Sequence, residues 1–345
     1  MRITALVKRI MLQMFRDKRT LALLFLAPLL VLTLMYLIFD SNEEEIKLGI
    51  VGGNNMLIET LETQGIQVED FESADSGTVL ENRLDGLLEI EADGAVLTLE
   101  NDDPAKAKAL LAQISQILAL QGQGSAEQNT SSVALETDYI YGNEDTEFFD
   151  VIGPILVGFF VFFFVFLISG IGLLKERVSG TLERVLATPV KRWEIVAAYL
   201  TGFGIFAVIQ TTIVVFFAIW ILDMVMEGEI WHVIVINLML ALVALSLGIL
   251  LSTFAGSEFQ MVQFIPLVIV PQIFFSGLFP LDGMADWLQN LGRIMPLYYG
   301  ADALKAVMYR GEGLIDVWED LLVLGLFALL FIVLNILALK RYRKL

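Results

Sequence analysis

Six stretches of this chain are apolar at nearly every position for about 20 residues, the length that carries an α-helix across a hydrocarbon core about 30 Å thick. They cover residues 21–39, 151–174, 195–222, 232–254, 260–279 and 321–339. The first is too long for the core of a signal peptide and no small-x-small cleavage site follows it, so it reads as a retained anchor. Two further segments carry the 3.6-residue period of an amphipathic helix. In residues 1–20, Ile3, Leu6, Val7, Ile10, Met11 and Met14 share one face, while Arg2, Lys8, Arg9 and Arg16 lie mainly off it. That pattern predicts a helix lying in the anionic inner leaflet. In residues 280–318, Met284, Trp287, Leu288, Leu291 and Ile294 mark one apolar face, Pro296 breaks it, and the pattern resumes over 298–309. One or two short helices dipping in from the outer side are expected there.

Between the first two apolar stretches, the period changes. Residues 46–51 form a short β run, 56–63 a helical pattern, and 66–71 alternate as a strand does. Residues 86–90 and 95–99 flank Asp93-Gly94, a hairpin turn signal. Pro104 stands where a helix over 105–120 begins, a position at which its missing N–H costs nothing. Residues 121–132 are polar and read as a loop, and 133–141 as a last strand. Asn129-Thr130-Ser131 fits a glycosylation acceptor, a triplet common by chance. Residues 40–150 are thus an α/β domain long enough for a core of its own. Thr181 is the expected N-cap of a further short helix in the 175–194 loop, which Pro189 ends.

Composition sharpens the picture. The chain has 345 residues, is 57% hydrophobic and carries a formal net charge of −18. Soluble domains are about 45–50% apolar, so the chain groups with membrane proteins. The acidity is local: residues 40–150 hold 25 Asp+Glu against 4 Lys+Arg, a net of −21, and the rest of the chain is net +3. Of the 18 basic residues outside the acidic domain, 15 lie before the first apolar stretch, in 175–194 and in the tail 340–345. By the positive-inside rule these three segments face the cytoplasm. The acidic domain and the 223–231 loop then face outward, and both termini lie inside. The expectation is an α-helical polytopic membrane protein of six transmembrane helices with an inserted α/β extracytoplasmic domain.

The chemistry is sparse. There is no Cys and a single His, His232, which excludes thiol catalysis and disulfides and leaves no zinc–thiolate site. His232 beside Trp231 reads as a boundary anchor. Lys106 and Lys108 near Asp102 and Asp103 read as a solvated helix start. No metal site is expected. The acidic balance argues against nucleic acid. Polar residues in the apolar stretches are almost all neutral, among them Thr201, Gln210, Thr211, Thr212, Asn237, Ser246, Gln263, Gln272 and Asn335. They serve helix–helix hydrogen bonding or form a substrate-facing stripe. An internal Asp/Glu/His relay is missing, which weighs against ion-coupled transport. The Phe159–Phe166 run reads as lipid-facing bulk, or else as a wall for acyl chains or large apolar ligands. Gly153, Gly158, Gly170 and Gly172 let neighbouring helices approach closely. No G-x-x-x-x-G-K-[ST] is present, so this chain carries no ATP motor.

The 175–194 segment holds a spaced motif, E-x-x-x-G-T-x-E-x-x-x-x-[ST]-P-[VI], on Glu176, Gly180, Thr181, Glu183, Thr188, Pro189 and Val190. It resembles the coupling-helix region of ABC-2 type transporter permeases. Pro296-Leu297-Tyr298-Tyr299, followed by Asp302-Ala303-Leu304 and Gly311, resembles the segment before the final helix of that family. The order of elements matches the subgroup with a large extracellular domain after the first helix. The resemblance implies the transmembrane subunit of an ABC exporter, paired with a second copy or a paralogue and with separate ATP-binding subunits. ATP and Mg would sit on those subunits, no cofactor on this chain, and no enzyme activity would reside in it. It implies contact with the ATP-binding subunit through Glu176, Gly180, Thr181, Leu182, Glu183, Leu186, Thr188 and Pro189. A substrate path past Phe159, Phe163, Gln210, Asn237, Gln263 and Gln272 would suit an amphiphilic or hydrophobic cargo: a drug, lipid or peptide. The expected site is the cell membrane of a prokaryote. The alternative is a receptor-like or scaffold membrane protein whose outer domain binds a ligand or cell-wall component.

Overall fold

The computed structural model describes residues 2–38, 46–53, 55–63, 65–71, 73, 76–91, 94–123, 135–143, 146, 148–278 and 286–339. The chain divides into two compact units, residues 1–38 with 152–345, and residues 39–151.

The larger unit opens with α1 (Arg2–Arg16) and α2 (Lys18–Ile38). The single helix expected over 1–20 is interrupted at Asp17. Its carboxylate accepts the Thr20 N–H at 3.2 Å and the Thr20 hydroxyl at 2.7 Å. An acceptor so placed satisfies free N–H groups of a starting helix, so α2 begins there. These bonds, with the Lys175 ammonium beside them, hold the Asp17 carboxyl below its ordinary value.

The smaller unit runs β1 (Ile46–Val51), α3 (Asn55–Thr63), β2 (Ile66–Phe71), α4 (Ser76–Asn82), β3 (Gly86–Glu91), β4 (Gly94–Leu99), α5 (Pro104–Gln123) and β5 (Leu135–Tyr139). The five strands form one sheet in the order β2-β1-β3-β4-β5. β1 pairs in parallel with β2 and β3, which requires helical crossovers, and these are α3 and α4. β3 and β4 pair antiparallel and β4 and β5 parallel. Leu48, Ile50 and Leu97 pack with Leu57 and Leu61 of α3 and Leu110 and Ile114 of α5. Val79 of α4 packs with Leu84 and Leu87 in a separate cluster. α4 has no counterpart in the sequence reading, because seven residues are too few to show a period. α5 continues three residues past the expected 120. Asp93 of the turn signal, most of the expected loop over 121–132 and Asn129-Thr130-Ser131 lie outside the described residues. The Lys106 side chain lies 3.7 Å from Asp85.

The larger unit resumes with α6 (Phe148–Val178), α7 (Thr181–Leu186), α8 (Arg192–Trp220), α9 (Ile230–Phe254), α10 (Glu258–Phe274), α11 (Asp286–Gly292), α12 (Pro296–Met308) and α13 (Trp318–Ala338). Among the described residues, α6, α8, α9 and α13 are the four helices long and apolar enough to cross a membrane by length and composition. α10 is a shorter apolar helix with Pro266 and Pro271 inside it; it stops at Phe274, five residues before the expected end. Phe279, Pro280, Met284 and the basic tail 340–345 lie outside the described residues.

α6 is the centre of this unit. In its apolar window 89% of residues are buried, against 17% in α13. The Phe run therefore does not face lipid: Phe159, Phe160, Phe162, Phe164 and Phe166 are buried among neighbouring helices. Glycines make that packing close. A Cβ on Gly172 would meet the Phe203 ring at 2.6 Å, and one on Gly153 the Met224 side chain at 2.8 Å. Part of the apolar face of α1 is also covered by protein. Ile10 and Met14 are buried, and a Cβ on Gly202 of α8 would meet Ile10 at 2.9 Å. Packing against a small residue removes that face from any solvent, so α1 belongs to the helical core on one side only.

Candidate functional site

The site begins where α6 ends. Ser179 N–H donates to Lys175 O at 3.0 Å and Gly180 N–H to Arg177 O at 2.9 Å, which closes the helix. Gly180 has φ 68° and ψ 9°, the left-handed conformation that glycine adopts without a Cβ penalty. Gly180 is also the N-cap of α7, with no side-chain cap. Thr181, the expected N-cap, is already inside the helix, and its hydroxyl lies 2.9 Å from that of Ser179. α7 ends at Leu186, with Ala187 as C-cap, two residues before Pro189. Past it, Lys191 N–H donates to the Glu194 carboxylate, fixing the start of α8.

α7 has two faces. Leu182 is 2% exposed and sits with Leu173, Ile195, Val196 and Tyr199 around a small gap at the ends of α6 and α8. Glu183, Arg184, Ala187, Thr188 and Pro189 are exposed, and Thr181, Val185 and Leu186 are half-buried. Arg184 bonds back to Gly180 O at 3.3 Å and Ser179 O at 3.4 Å. The result is a short tip pinned by one leucine and charged on its open side.

Glu176 departs from its expected place on that open side. It is 2% exposed, and its carboxylate accepts hydrogen bonds from the Arg9 guanidinium and the Tyr199 hydroxyl. Arg9 also donates to the Tyr199 oxygen at 3.2 Å. One carboxylate thus joins α1, α6 and α8, and burial is the reason it needs two donors. Arg9 itself turns inward, away from the lipid leaflet assigned to it. A second inward clamp lies one residue on: Arg177 donates to Ser252 O and, at 2.8 Å, to Ala255 O, binding the last carbonyls of α9. Lys175 pairs with Asp17 at 3.2 Å. Arg9, Tyr199 and Arg177 were not singled out by motif spacing, since their partners lie on helices distant in sequence.

The chain belongs to the ABC-2 family of transporter proteins. The family model described as "ABC-2 family transporter protein" matches residues 18–337. Among relatives, the chain is 27% identical to ABC transporter G family member 20 of Dictyostelium discoideum, over 99% of this chain and 51% of that one. It is 26% identical to the probable multidrug ABC transporter permease YbhR of Escherichia coli, over 58% of this chain and 54% of the relative. It is 29% identical to the inner membrane transport permease YhhJ of Escherichia coli, over 51% of this chain and 47% of the relative. The chain spans about half the length of the relatives it matches.

In this ABC-2 permease, the six residues expected along a substrate path differ in their surroundings. Phe159 is buried and Phe163 half-buried, their rings stacked at 5.9 Å. Gln272 is committed to structure: its carbonyl accepts the Leu297 N–H at 2.9 Å and its amide lies 3.3 Å from Met295 Sδ, which caps α12. Gln263 is exposed on α10. Asn237 is buried and donates to Val233 O at 3.0 Å. Gln210 is fully buried with neither side-chain group hydrogen-bonded, and the Thr211 hydroxyl beside it is likewise unpartnered. Gln210 lies two helical turns along α8 from Phe203, on the face that meets α6. Among the described residues, no group of three His, Cys, Asp or Glu is placed to hold a metal ion.

Proposed function

We propose that this chain is the permease subunit of an ATP-driven exporter that moves an amphiphilic or hydrophobic compound out across the cell membrane. α2 and α10 join α6, α8, α9 and α13 as six spans, with both termini and α7 on the cytoplasmic side and the acidic α/β unit outside. ATP and Mg are bound by separate ATP-binding subunits, and a second copy or a paralogue completes the permease. The neutral, strongly apolar spans support an apolar cargo, as does the likeness to YbhR, a probable multidrug permease.

The observation that carries the reading is the build of α7. A helix of six residues cannot hold itself together in water. Here it is pinned by buried Leu182, while Glu183, Arg184, Thr188 and Pro189 remain open to a partner. In our reading a closing ATP-binding subunit pushes on α7. The push reaches the spans through Gly180 and the Glu176–Arg9–Tyr199 junction.

The test is capture of a Walker-A protein by the tagged chain from native membranes, followed by ATPase assay of the reconstituted pair. Glu183→Lys is expected to insert normally, to lose the captured subunit and to leave no permease-stimulated ATPase. Full stimulation by Glu183→Lys would sink the assignment of α7 as the docking element.

A further inference from the structure

A cavity of about 240 Å³ lies between α1, α2, α6 and α8. Its walls are apolar: Ile10 and Met14 from α1, Leu23 from α2, Ile168 and Ile171 from α6, and Phe203 from α8. Its rim is charged and includes Arg19 and Lys175. The two acids at the rim are already occupied, Glu176 by Arg9 and Tyr199, and Asp17 by Thr20 and Lys175. Arg16, Lys18 and Arg19 crowd the same turn and are all exposed, so the mouth is positive. Leu23 of α2, one of its walls, is 43% exposed, so the cavity opens onto the apolar surface of the chain, which also carries exposed Leu12 and Phe15 of α1.

We propose that this cavity holds one acyl chain of an anionic phospholipid, with its phosphate against Arg19 and Lys175. The apolar walls suit a hydrocarbon chain, which exchanges bilayer for protein contacts at little cost, so the preference comes from the headgroup. The positive mouth selects the anionic headgroup over a zwitterionic one. The bound lipid fills the gap between α1 and α6, next to the Glu176 junction, and so stiffens the α1 contact whatever the transported cargo is. It acts as a resident structural lipid, independent of the export reading above.

Native mass spectrometry of the full chain in detergent tests this, with palmitoyl-oleoyl phosphatidylglycerol and phosphatidylcholine as probes. One phosphatidylglycerol per chain is expected, retained at least about tenfold better than phosphatidylcholine. Arg19→Glu with Lys175→Glu is expected to erase the preference. Ile171→Trp, which fills the apolar end, is expected to remove the adduct while circular dichroism stays unchanged. Equal retention of the two lipids by the wild type would overturn the proposal. Persistence of the phosphatidylglycerol adduct in both variants would do the same, because the lipid would then sit elsewhere. Displacement by 10-fold excess inorganic phosphate would mean a site for a small anion instead of a lipid, and would overturn it too.

Discussion

Replacing Arg9 by methionine leaves the Glu176 carboxylate buried with the Tyr199 hydroxyl as its remaining donor. Removing one partner of a fully buried ion pair costs about 3–5 kcal/mol, chiefly because a charge is stranded. The Arg9 side chain is 31% exposed, so water replaces part of the loss and about 2–3 kcal/mol is expected. At roughly 2–4 °C per kcal/mol for a domain of this size, the melting midpoint falls about 4–12 °C. The informative comparison is the double variant. Arg9→Met with Glu176→Met removes the stranded charge together with its partner, so stability is expected to return more than halfway to the wild type. Tyr199→Phe removes one charge-assisted hydrogen bond and is expected to fall by about 1.5–3 kcal/mol. The assay is the thermal midpoint of the full chain in one detergent at one heating rate. If the double variant is as unstable as the sum of the two single variants, the junction is not an electrostatic one and the reasoning fails.

Gly180→Ala forces a Cβ into the left-handed region, at about 1–2 kcal/mol, although open space surrounds the position. Trypsin cleavage after Arg184 is then expected to speed up by about 5-fold or more, while Gly180→Asn stays near the wild-type rate because Asn tolerates that conformation. Gln272→Leu strips the Leu297 N–H of its acceptor at the start of α12 and is expected to lower the melting midpoint by about 2–6 °C. Asp17 has a carboxyl pKa below its unfolded value, so its stabilisation is present above the unfolded pKa and is lost as pH falls through the folded one. The midpoint difference between wild type and Asp17→Asn is expected to be constant from pH 5 to 8 and to shrink below about pH 4. A difference that grows on acidification would show the sign to be wrong.

Much of the helical layout is legible in the pattern of apolar positions. The spans at 195–222, 232–254 and 321–339 differ from α8, α9 and α13 by a few residues at their ends. Long apolar runs admit no other structure, because their backbone groups must be satisfied internally. The site was legible in part. The spacing from Gly180 to Pro189 marks a helix break and a tip, and both are found in the structure. The same motif placed Glu176 and Leu182 beside their exposed neighbours, and both are buried. A motif records spacing along the chain, whereas burial depends on which helix stands opposite. The Phe run shows the limit: an apolar face looks the same in sequence whether lipid or protein covers it, and here neighbouring helices do.

Sequence alone therefore determined that the chain is a membrane protein, that its acidity sits in one inserted segment, and that the 175–194 connection carries a helix break at a glycine. These follow from local composition and period, which neighbours in space do not alter. Only the tertiary structure decided that α6 is the centre of the helical unit. It also decided that Arg9, Glu176 and Tyr199 meet, and that Gln272 caps α12. Each of those depends on side chains from helices far apart in sequence, brought within 3 Å or so by packing that no single stretch encodes.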